Sequence, residues 1–304
     1  METKEKLTGI YPPVMTPFDE RGNIDYAGLE FNIEKMNETK LRGYMPLGSN
    51  GEFRSLSDEE AIKVLKTIAG VKSKDKFLMA GAGRESAFAT VEFIKKAADT
   101  GADFVSVLTP HYYAKRMNDD ALIAYFENVA DNSPLPVLMY CAPSFAAGVL
   151  LSFNAVSKLA AHPNIIGMKD TSKEDIANYV KAIPAGANFY VLAGSISKFL
   201  YALKNGAVGG VLSMANYLPE LCCILQSLFD EGKIEEADAM SANLISLNEK
   251  TTGKYGVAGV KAAMNLLGYK GGLPRIPVLP LKENEKSELA AIFESACAEH
   301  CGKK

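Results

Sequence analysis

Eight short apolar runs recur along the chain, and longer stretches with helical spacing separate most of them. The runs cover residues 8–15, 43–48, 76–82, 103–109, 136–141, 164–169, 189–194 and 208–213. Continuous apolar runs alternating with amphipathic stretches are typical of βαβ units and a parallel sheet. Eight such units predict a closed (β/α)8 TIM barrel. An open doubly wound sheet usually has fewer strands, and the Gly-x-Gly-x-x-Gly turn that often follows its first strand is missing.

The helical stretches give the rest of the architecture. Apolar residues recur at helical spacing in 26–38, 58–71, 87–99, 119–130 and 153–161. Ser57 and Glu60 have the spacing of a capping box, which predicts a helix start between them. After the eighth run only helical patterns remain, in 218–231, 234–248, 257–267 and 283–299. We therefore predict a barrel in residues 1–232 and a C-terminal α-helical appendage in residues 233–304.

The charge and hydropathy of the chain argue against two classes of binding partner, nucleic acids and membranes. The net charge is −3, and the lysines are scattered among acids without forming a basic stripe, which argues against nucleic-acid binding. No run approaches the roughly 18 apolar residues of a membrane span, and the first six residues lack a signal peptide's apolar stretch. We therefore expect a cytoplasmic protein that binds neither nucleic acid nor a membrane.

The cysteines and histidines do not predict a metal site. The cysteines lack paired C-x-x-C spacing and are expected to be reduced. Cys297, His300 and Cys301 are close in sequence, but no second cluster is present to complete a tetrahedral site. The full set is Cys141, Cys222, Cys223, Cys297, Cys301, His111, His162 and His300.

Lys169 is the unusual residue of the sixth apolar run, which it ends. An ammonium in apolar surroundings loses hydration, which lowers a lysine's pKa and increases the share of neutral amine. A neutral amine adds to ketones, so a lysine at a strand's carboxyl end can form a Schiff base. The alternative is a lysine whose head group simply reaches solvent beyond the strand end.

Other polar residues follow neighbouring strands, at the end of the barrel where active sites lie. The Gly-Ser-Asn-Gly sequence of residues 48–51 suits a carboxylate, because glycines let backbone N–H groups approach an anion, but it is also ordinary turn chemistry. Tyr140 ends the fifth run and Tyr112 follows the fourth. Either phenol could transfer protons, or it could serve only in packing.

Three motifs in this order carry a family resemblance. They are Gly48-Ser49-Asn50-Gly51-Glu52, Tyr140-Cys141-Ala142-Pro143 and Gly167-Met168-Lys169-Asp170, at the ends of strands two, five and six. Together they resemble the dihydrodipicolinate synthase/N-acetylneuraminate lyase family of pyruvate-dependent class I aldolases. The resemblance covers nearly the whole chain.

The resemblance implies a catalytic set and no cofactor beyond a covalent lysine imine with pyruvate or another 2-oxo acid. Lys169 would form the iminium, and Tyr140 would be the acid/base near the reacting carbon. Ser49 stands where the family usually has a threonine. In the family that side chain links the acid/base tyrosine to a second tyrosine, which reaches in from a neighbouring subunit and is matched here by Tyr112. The protein would therefore be a homo-oligomer, a dimer or a homotetramer.

The same resemblance implies the substrate contacts. Asn50 would help to hold the carboxylate of the oxo acid, beside Gly48. Gly194, Ser195 and the backbone near Leu212 would border the same site. The partners would be a small 2-oxo acid and an aldehyde.

One position departs from the synthase pattern. Synthases typically carry an arginine after Tyr-Asn-x-Pro-Ser, where this chain has Phe145, followed by one extra residue before Gly148. A phenyl ring cannot replace a guanidinium fork that grips a carboxylate. The motifs look closer to 4-hydroxy-2-oxoglutarate aldolase and the 2-oxo-3-deoxy-sugar-acid aldolases, which favours cleavage of a 4-hydroxy-2-oxo acid to pyruvate and an aldehyde. The alternatives are a 4-hydroxy-tetrahydrodipicolinate synthase and a noncatalytic oxo-acid-binding regulatory protein.

Overall fold

The computed structural model describes residues 2–301, with side chains described through residue 295. Eight parallel strands form one sheet, in which β2 to β8 pair in chain order and β1 pairs with β8. Backbone bonds from Arg42 N to Ile10 O (2.9 Å) and from Met45 N to Pro12 O (3.0 Å) join β1 to β2 and close the barrel. The strands are β1 (Gly9–Tyr11), β2 (Gly43–Tyr44), β3 (Phe77–Gly81), β4 (Phe104–Leu108), β5 (Val137–Cys141), β6 (Ile165–Asp170), β7 (Tyr190–Ala193) and β8 (Gly209–Val211). The predicted TIM barrel is confirmed.

A helix follows each strand, and a short helix, α1 (Thr3–Leu7), precedes the first. The capping box is present, with Ser57 Oγ accepting from Glu60 N (3.2 Å) and Glu60 Oε2 accepting from Ser57 N (3.0 Å). The helices of the repeats are α2 (Tyr26–Asn37), α3 (Asp58–Val71), α4 (Ala87–Ala98), α5 (Asp119–Asn132), α6 (Phe153–Leu159), α7 (Ile176–Ala182), α8 (Ile196–Lys204) and α9 (Pro219–Asp230).

Three C-terminal helices complete the fold: α10 (Ile234–Lys250), α11 (Thr252–Leu266) and α12 (Glu283–Cys301). Helix α11 contains a break at Gly256, whose φ of 56° is non-helical, and the predicted start at residue 257 corresponds to its second part. The gap between α9 and α10 contains the predicted boundary at residue 232, although the division into two domains stays a prediction. None of the helices in residues 2–301 combines the length and apolar character needed to cross a bilayer.

The strands β1 and β2 fall furthest short of their apolar runs. Pro12 and Pro13 follow β1 and have no N–H to continue a strand ladder. After β2 the chain turns at Leu47, whose φ is 61°. The apolar pattern of 8–15 and 43–48 reflects burial of the segments beyond these strands, because Val14 and Leu47 are buried without belonging to a strand.

The core has two layers. A larger cluster lies between strands and helices, and a smaller one fills the barrel, because successive strand residues point to opposite faces. The barrel cluster consists of Leu7, Tyr11, Met45, Met79, Phe104, Leu138, Ile166, Leu192, Val208 and Val211. Tyr140, two residues beyond Leu138, therefore points into the barrel, and the register of β5 and β6 pairs it with Lys169.

Candidate active site

Lys169 lies at the carboxyl end of β6 and is only 3% exposed. Its Nζ is 3.9 Å from Met45 Sδ and 4.1 Å from the centre of the Tyr140 ring. Within residues 2–295, no carboxylate lies within ion-pair distance of this nitrogen. The Lys169 amine therefore does not reach solvent, and the alternative interpretation of this residue from the sequence is wrong.

The residue after Lys169 anchors the end of β6. Asp170 is buried, its Oδ1 accepts from Ser172 N (2.9 Å), and its Oδ2 lies 3.4 Å from Lys198 Nζ. Lys198 also donates to the carbonyl oxygen of Ser172 at 2.7 Å. Because neighbours alternate along a strand, Asp170 points away from the face that carries Lys169, and its ion pair immobilises the strand end. Lys198, on α8, was missed from the sequence because no local motif joins it to Asp170.

Tyr140 is 4% exposed and borders a small cavity at the carboxyl end of the barrel. Ser106, from β4, borders the same cavity, and its buried hydroxyl has no hydrogen-bond partner within the described chain. The remaining cavity residues are Met45, Leu47, Gly48, Phe53, Gly81, Ala82, Gly83 and Leu108. The cavity therefore brings Tyr140 and Gly48 together with Ser106, which was not in the predicted set. Lys169 does not line this cavity, but it contacts two residues that do, Met45 and Tyr140.

The loop after β2 carries the predicted carboxylate site. Ser49 Oγ is buried and has no hydrogen-bond partner among residues 2–295, so its hydroxyl is free to bond a ligand or another subunit. Asn50 Nδ2 donates to Ser213 Oγ at 2.5 Å, which ties the loop to the segment after β8. A Cβ on Gly51 would lie 2.8 Å from Val14 O, so only glycine fits there without a shift.

The three predicted residues that follow β7 and β8, namely Gly194, Ser195 and Leu212, also lie at the carboxyl end of the barrel. Gly194 N donates to Asp170 O at 2.8 Å, and a Cβ on Gly194 would come within 2.1 Å of Thr171 Cγ2. Leu212 is buried, and its N–H donates to Tyr11 O at 3.0 Å. Ser195 is the N-cap of α8. Gly194 thus packs directly on the end of β6, whereas no described hydrogen bond joins Ser195 or Leu212 to Lys169.

Tyr112 lies apart from the other predicted catalytic residues within one chain. It is 77% exposed and packs edge-on against Tyr113 with ring centres 5.0 Å apart. Glu85 Oε2 accepts from the backbone N–H groups of His111 and Tyr112, both at 2.8 Å, and Arg54 pairs with Glu85 Oε1 at 2.7 Å. No described hydrogen bond joins Tyr112 to Ser49 or Tyr140 within one chain, so the link across a subunit boundary that the resemblance implies stays a prediction.

Phe145 occupies the position of the missing arginine and is 53% exposed. It ends a 3-10 turn, Pro143–Phe145, directly after β5. Two residues with positive φ follow, Ala147 at 48° and Gly148 at 83°, and Gly148 N donates to Pro143 O at 2.9 Å. The position after the strand therefore presents a phenyl ring near the mouth of the barrel.

The described side chains include no group of three His, Cys, Asp or Glu residues arranged to hold a metal ion. The side chains of Cys297, His300 and Cys301 lie outside those the structure describes. Burial raises the pKa of the Cys141 thiol to about 11, and its sulfur contacts the Tyr179 hydroxyl at 3.8 Å. Cys141 therefore belongs to the packing behind β5.

Comparison with known proteins agrees with the observed fold. A model of the dihydrodipicolinate synthetase family matches residues 6–296. A 4-hydroxy-tetrahydrodipicolinate synthase of Methanothrix thermoacetophila is 31% identical over 287 residues, which are 94% of this chain and 95% of that protein. A probable mitochondrial 4-hydroxy-2-oxoglutarate aldolase of Emericella nidulans is 30% identical over 300 residues, which cover 97% of each protein.

Solved structures show the same similarity. The 4-hydroxy-tetrahydrodipicolinate synthase of Methylacidiphilum fumariolicum SolV superposes with a TM-score of 0.88 at 29% identity, over 96% of this chain and 98% of that one. A prophage protein of the dihydrodipicolinic acid synthase family from E. coli K12, solved in complex with pyruvate, gives 0.87 at 29% identity, over 95% and 98%. In each case the similarity extends over nearly the whole length of the two chains.

Proposed function

The chain belongs to the dihydrodipicolinate synthase family, and on that premise we propose that it is a Schiff-base-forming aldolase that cleaves a 4-hydroxy-2-oxo acid to pyruvate and an aldehyde. It is a carbon–carbon lyase of this family. The reverse reaction would condense pyruvate with an aldehyde. The observation that carries the proposal is the buried Lys169, which has no ion-pair partner in the described chain and lies against the Tyr140 ring.

The first half of the reaction would be imine formation. The neutral amine of Lys169 adds to the C2 carbonyl of the oxo acid, and uptake of one proton with loss of water gives an iminium. The iminium accepts the electron pair of the C3–C4 bond when that bond breaks. Lys169 suits this step because its amine is buried at the carboxyl end of β6, beside the Tyr140 ring.

The second half would require a proton acceptor near C4. Tyr140, as phenolate, takes the proton of the C4 hydroxyl while the aldehyde leaves, and an enamine of pyruvate remains on Lys169. Protonation of the enamine at C3 and hydrolysis of the iminium release pyruvate and the free lysine. The contact between the Lys169 amine and the Tyr140 ring supports this division of roles.

The loop after β2 would hold the carboxylate of the oxo acid. Ser49 carries a buried hydroxyl with no hydrogen-bond partner in the described chain, and Asn50 is held by Ser213. The backbone N–H groups at Gly48 and its neighbours would complete the anion site. Gly194, Ser195 and Leu212 would border the substrate from the ends of β7 and β8.

Phe145 favours cleavage over dipicolinate synthesis. A synthase must bind the carboxylate of aspartate semialdehyde, and a phenyl ring cannot donate a charge-assisted hydrogen bond to it. The second candidate is nevertheless the synthase, because relatives of that name are as similar to this chain as the aldolase of Emericella nidulans. A noncatalytic regulatory role would have no use for a buried lysine beside Tyr140.

A product screen tests the proposal. Purified protein is incubated with a panel of 4-hydroxy-2-oxo acids that differ in the group beyond C4, and pyruvate release is followed by a coupled assay. In parallel, the protein receives pyruvate and aspartate semialdehyde. We expect faster pyruvate release from at least one acid than condensation, and none with Lys169→Ala. Condensation with aspartate semialdehyde alone would establish the synthase instead.

A further inference from the structure

A buried ion pair lies directly behind the loop after β2. Lys261, on α11, is only 1% exposed, and its Nζ lies 2.7 Å from Glu52 Oε1. The same nitrogen donates to Thr16 O at 2.7 Å and to Leu273 O at 2.6 Å. A helix near the C-terminus therefore contacts both the loop after β1 and the loop after β2.

Glu52 is the last residue of the Gly-Ser-Asn-Gly-Glu motif and has a positive φ of 53°. Its Oε2 accepts from Arg275 N at 2.9 Å, so both carboxylate oxygens are engaged by the C-terminal part of the chain. Thr16 Oγ1 donates to Gly51 O at 2.8 Å. Lys261, Thr16, Gly51 and Glu52 consequently form a closed ring of contacts that holds the end of the loop.

Such a pair is poorly explained by stability alone. The desolvation of two charges offsets much of their attraction, so a buried ion pair is often no more stabilising than apolar side chains of similar volume. Burial lowers the pKa of Lys261 to about 8, and the Glu52 carboxylate opposes that shift. The pair does orient the chain, because it holds Glu52, which has an unfavourable positive φ, in place two positions after Asn50.

We propose that Lys261 and Glu52 are positioning residues for the loop formed by residues 48–51, so that α11 sets the geometry of the oxo-acid carboxylate site. The inference rests on the proposed function, in which Gly48, Ser49 and Asn50 receive that carboxylate. Neither Lys261 nor Glu52 would touch the substrate. Loss of either would misplace the hydrogen-bond donors while leaving Lys169 and Tyr140 in place.

The test uses Lys261→Met, Glu52→Gln and the double variant, with Lys76→Met as a matched control. Lys76 is also buried and also donates to a backbone carbonyl, that of Thr39 at 2.7 Å, but it lies before β3, at the opposite end of the barrel. Both lysine variants should lower the melting temperature. The double variant should recover thermal stability lost in the singles, because no unpaired charge remains.

Pyruvate binding is measured by borohydride trapping at increasing pyruvate concentrations, which requires no aldehyde. In Lys261→Met and Glu52→Gln, the pyruvate concentration for half-maximal trapping should rise about tenfold or more, while the maximal extent stays near that of the parent protein. The double variant should keep the raised value although it is stable. Lys76→Met should trap like the parent. Equal shifts in Lys76→Met and Lys261→Met, or no shift in a folded Lys261→Met, would overturn the inference.

Hydrogen exchange separates this inference from the proposed function. Amides of residues 47–53 should exchange faster in Lys261→Met than in Lys76→Met, whether or not the protein binds an oxo acid. Absence of pyruvate trapping in the parent protein would overturn the proposed function, and the role at a carboxylate site with it. Normal trapping with unchanged exchange in Lys261→Met would overturn only the positioning role.

Discussion

Lys169 Nζ lies 4.1 Å from the centre of the Tyr140 ring, and the two residues are direct partners in the register of β5 and β6. Their proximity is therefore set by backbone pairing between two adjacent strands of the barrel. Side chains on such strands are held more rigidly than side chains on loops. The Lys169 amine and the Tyr140 phenol, positioned in this way, need no loop closure to come together.

Reductive trapping should identify the nucleophile. Treatment with pyruvate and borohydride should add one reduced pyruvate adduct to the protein, located at Lys169 by peptide mass spectrometry. Lys169→Ala should abolish the adduct and nearly all turnover without unfolding the protein. Lys198→Ala tests the specificity of labelling, because Lys198 is the nearby partner of Asp170. Labelling at Lys198 or any other lysine in the parent protein would contradict the assignment.

The Tyr140 hydroxyl should matter for proton transfer more than for imine formation. Tyr140→Phe should still be trapped by borohydride but should lose roughly 10² to 10⁴ in turnover, the usual contribution of a positioned acid/base. Ser49→Ala should act in the same direction, more weakly. Tyr179→Phe is the matched control, because it removes a buried hydroxyl that bonds Leu151 O behind the barrel. Full turnover in Tyr140→Phe would exclude the role.

Tyr112 should act in the active site of a neighbouring subunit, because it is exposed in one chain. Tyr112→Phe and Lys169→Ala should each be nearly inactive alone. Mixed oligomers refolded from both variants should regain activity, since some sites would combine an intact Lys169 with an intact Tyr112 from the other chain. Size-exclusion chromatography should show an oligomer. A monomer, or mixtures no more active than the separate variants, would contradict this prediction.

Phe145→Arg should shift specificity toward aspartate semialdehyde. A charge-assisted hydrogen bond is worth about 1.5 to 3 kcal/mol, or roughly ten- to a hundredfold in transition-state binding. We therefore expect the ratio of cleavage to condensation efficiency to fall by about tenfold or more, measured in one buffer at one pH. Phe88→Arg adds the same charge to an exposed phenylalanine on α4 and should leave the ratio unchanged. If the parent protein already prefers aspartate semialdehyde, another cation serves its carboxylate.

The buried cysteines should be unreactive in the folded protein. Burial raises the pKa of Cys141 to about 11 and that of Cys223 to about 12, and it raises the pKa of Cys222 as well. At pH 8 only about 0.1% of a thiol with a pKa of 11 is thiolate, which is the nucleophilic form. Iodoacetamide should modify these three residues only after denaturation. Rapid alkylation of Cys141 in the native protein would show that the shell behind β5 opens.

The repeated units were predictable because their signals are local. Apolar runs and helical spacing depend on a few neighbouring residues, so all eight strands and the Ser57 cap could be located before any contact was known. The ends of β1 and β2 were less predictable. Burial extends the apolar pattern beyond the point where Pro12 and the turn at Leu47 end the strand ladder.

The sequence by itself determined the barrel and the motifs that carry the family resemblance, whereas the tertiary structure decided the surroundings of each motif. Lys169 could have reached solvent, and only closure of the barrel against Met45 and Tyr140 buries its amine. The partners that hold the other motifs come from distant parts of the chain, as Ser213 does for Asn50 and Lys261 for Glu52. Hydrophobic periodicity records which face of an element is buried, but it contains no information about which distant side chain packs there. That choice is made by long-range contacts, which exist only once strands and helices have assembled.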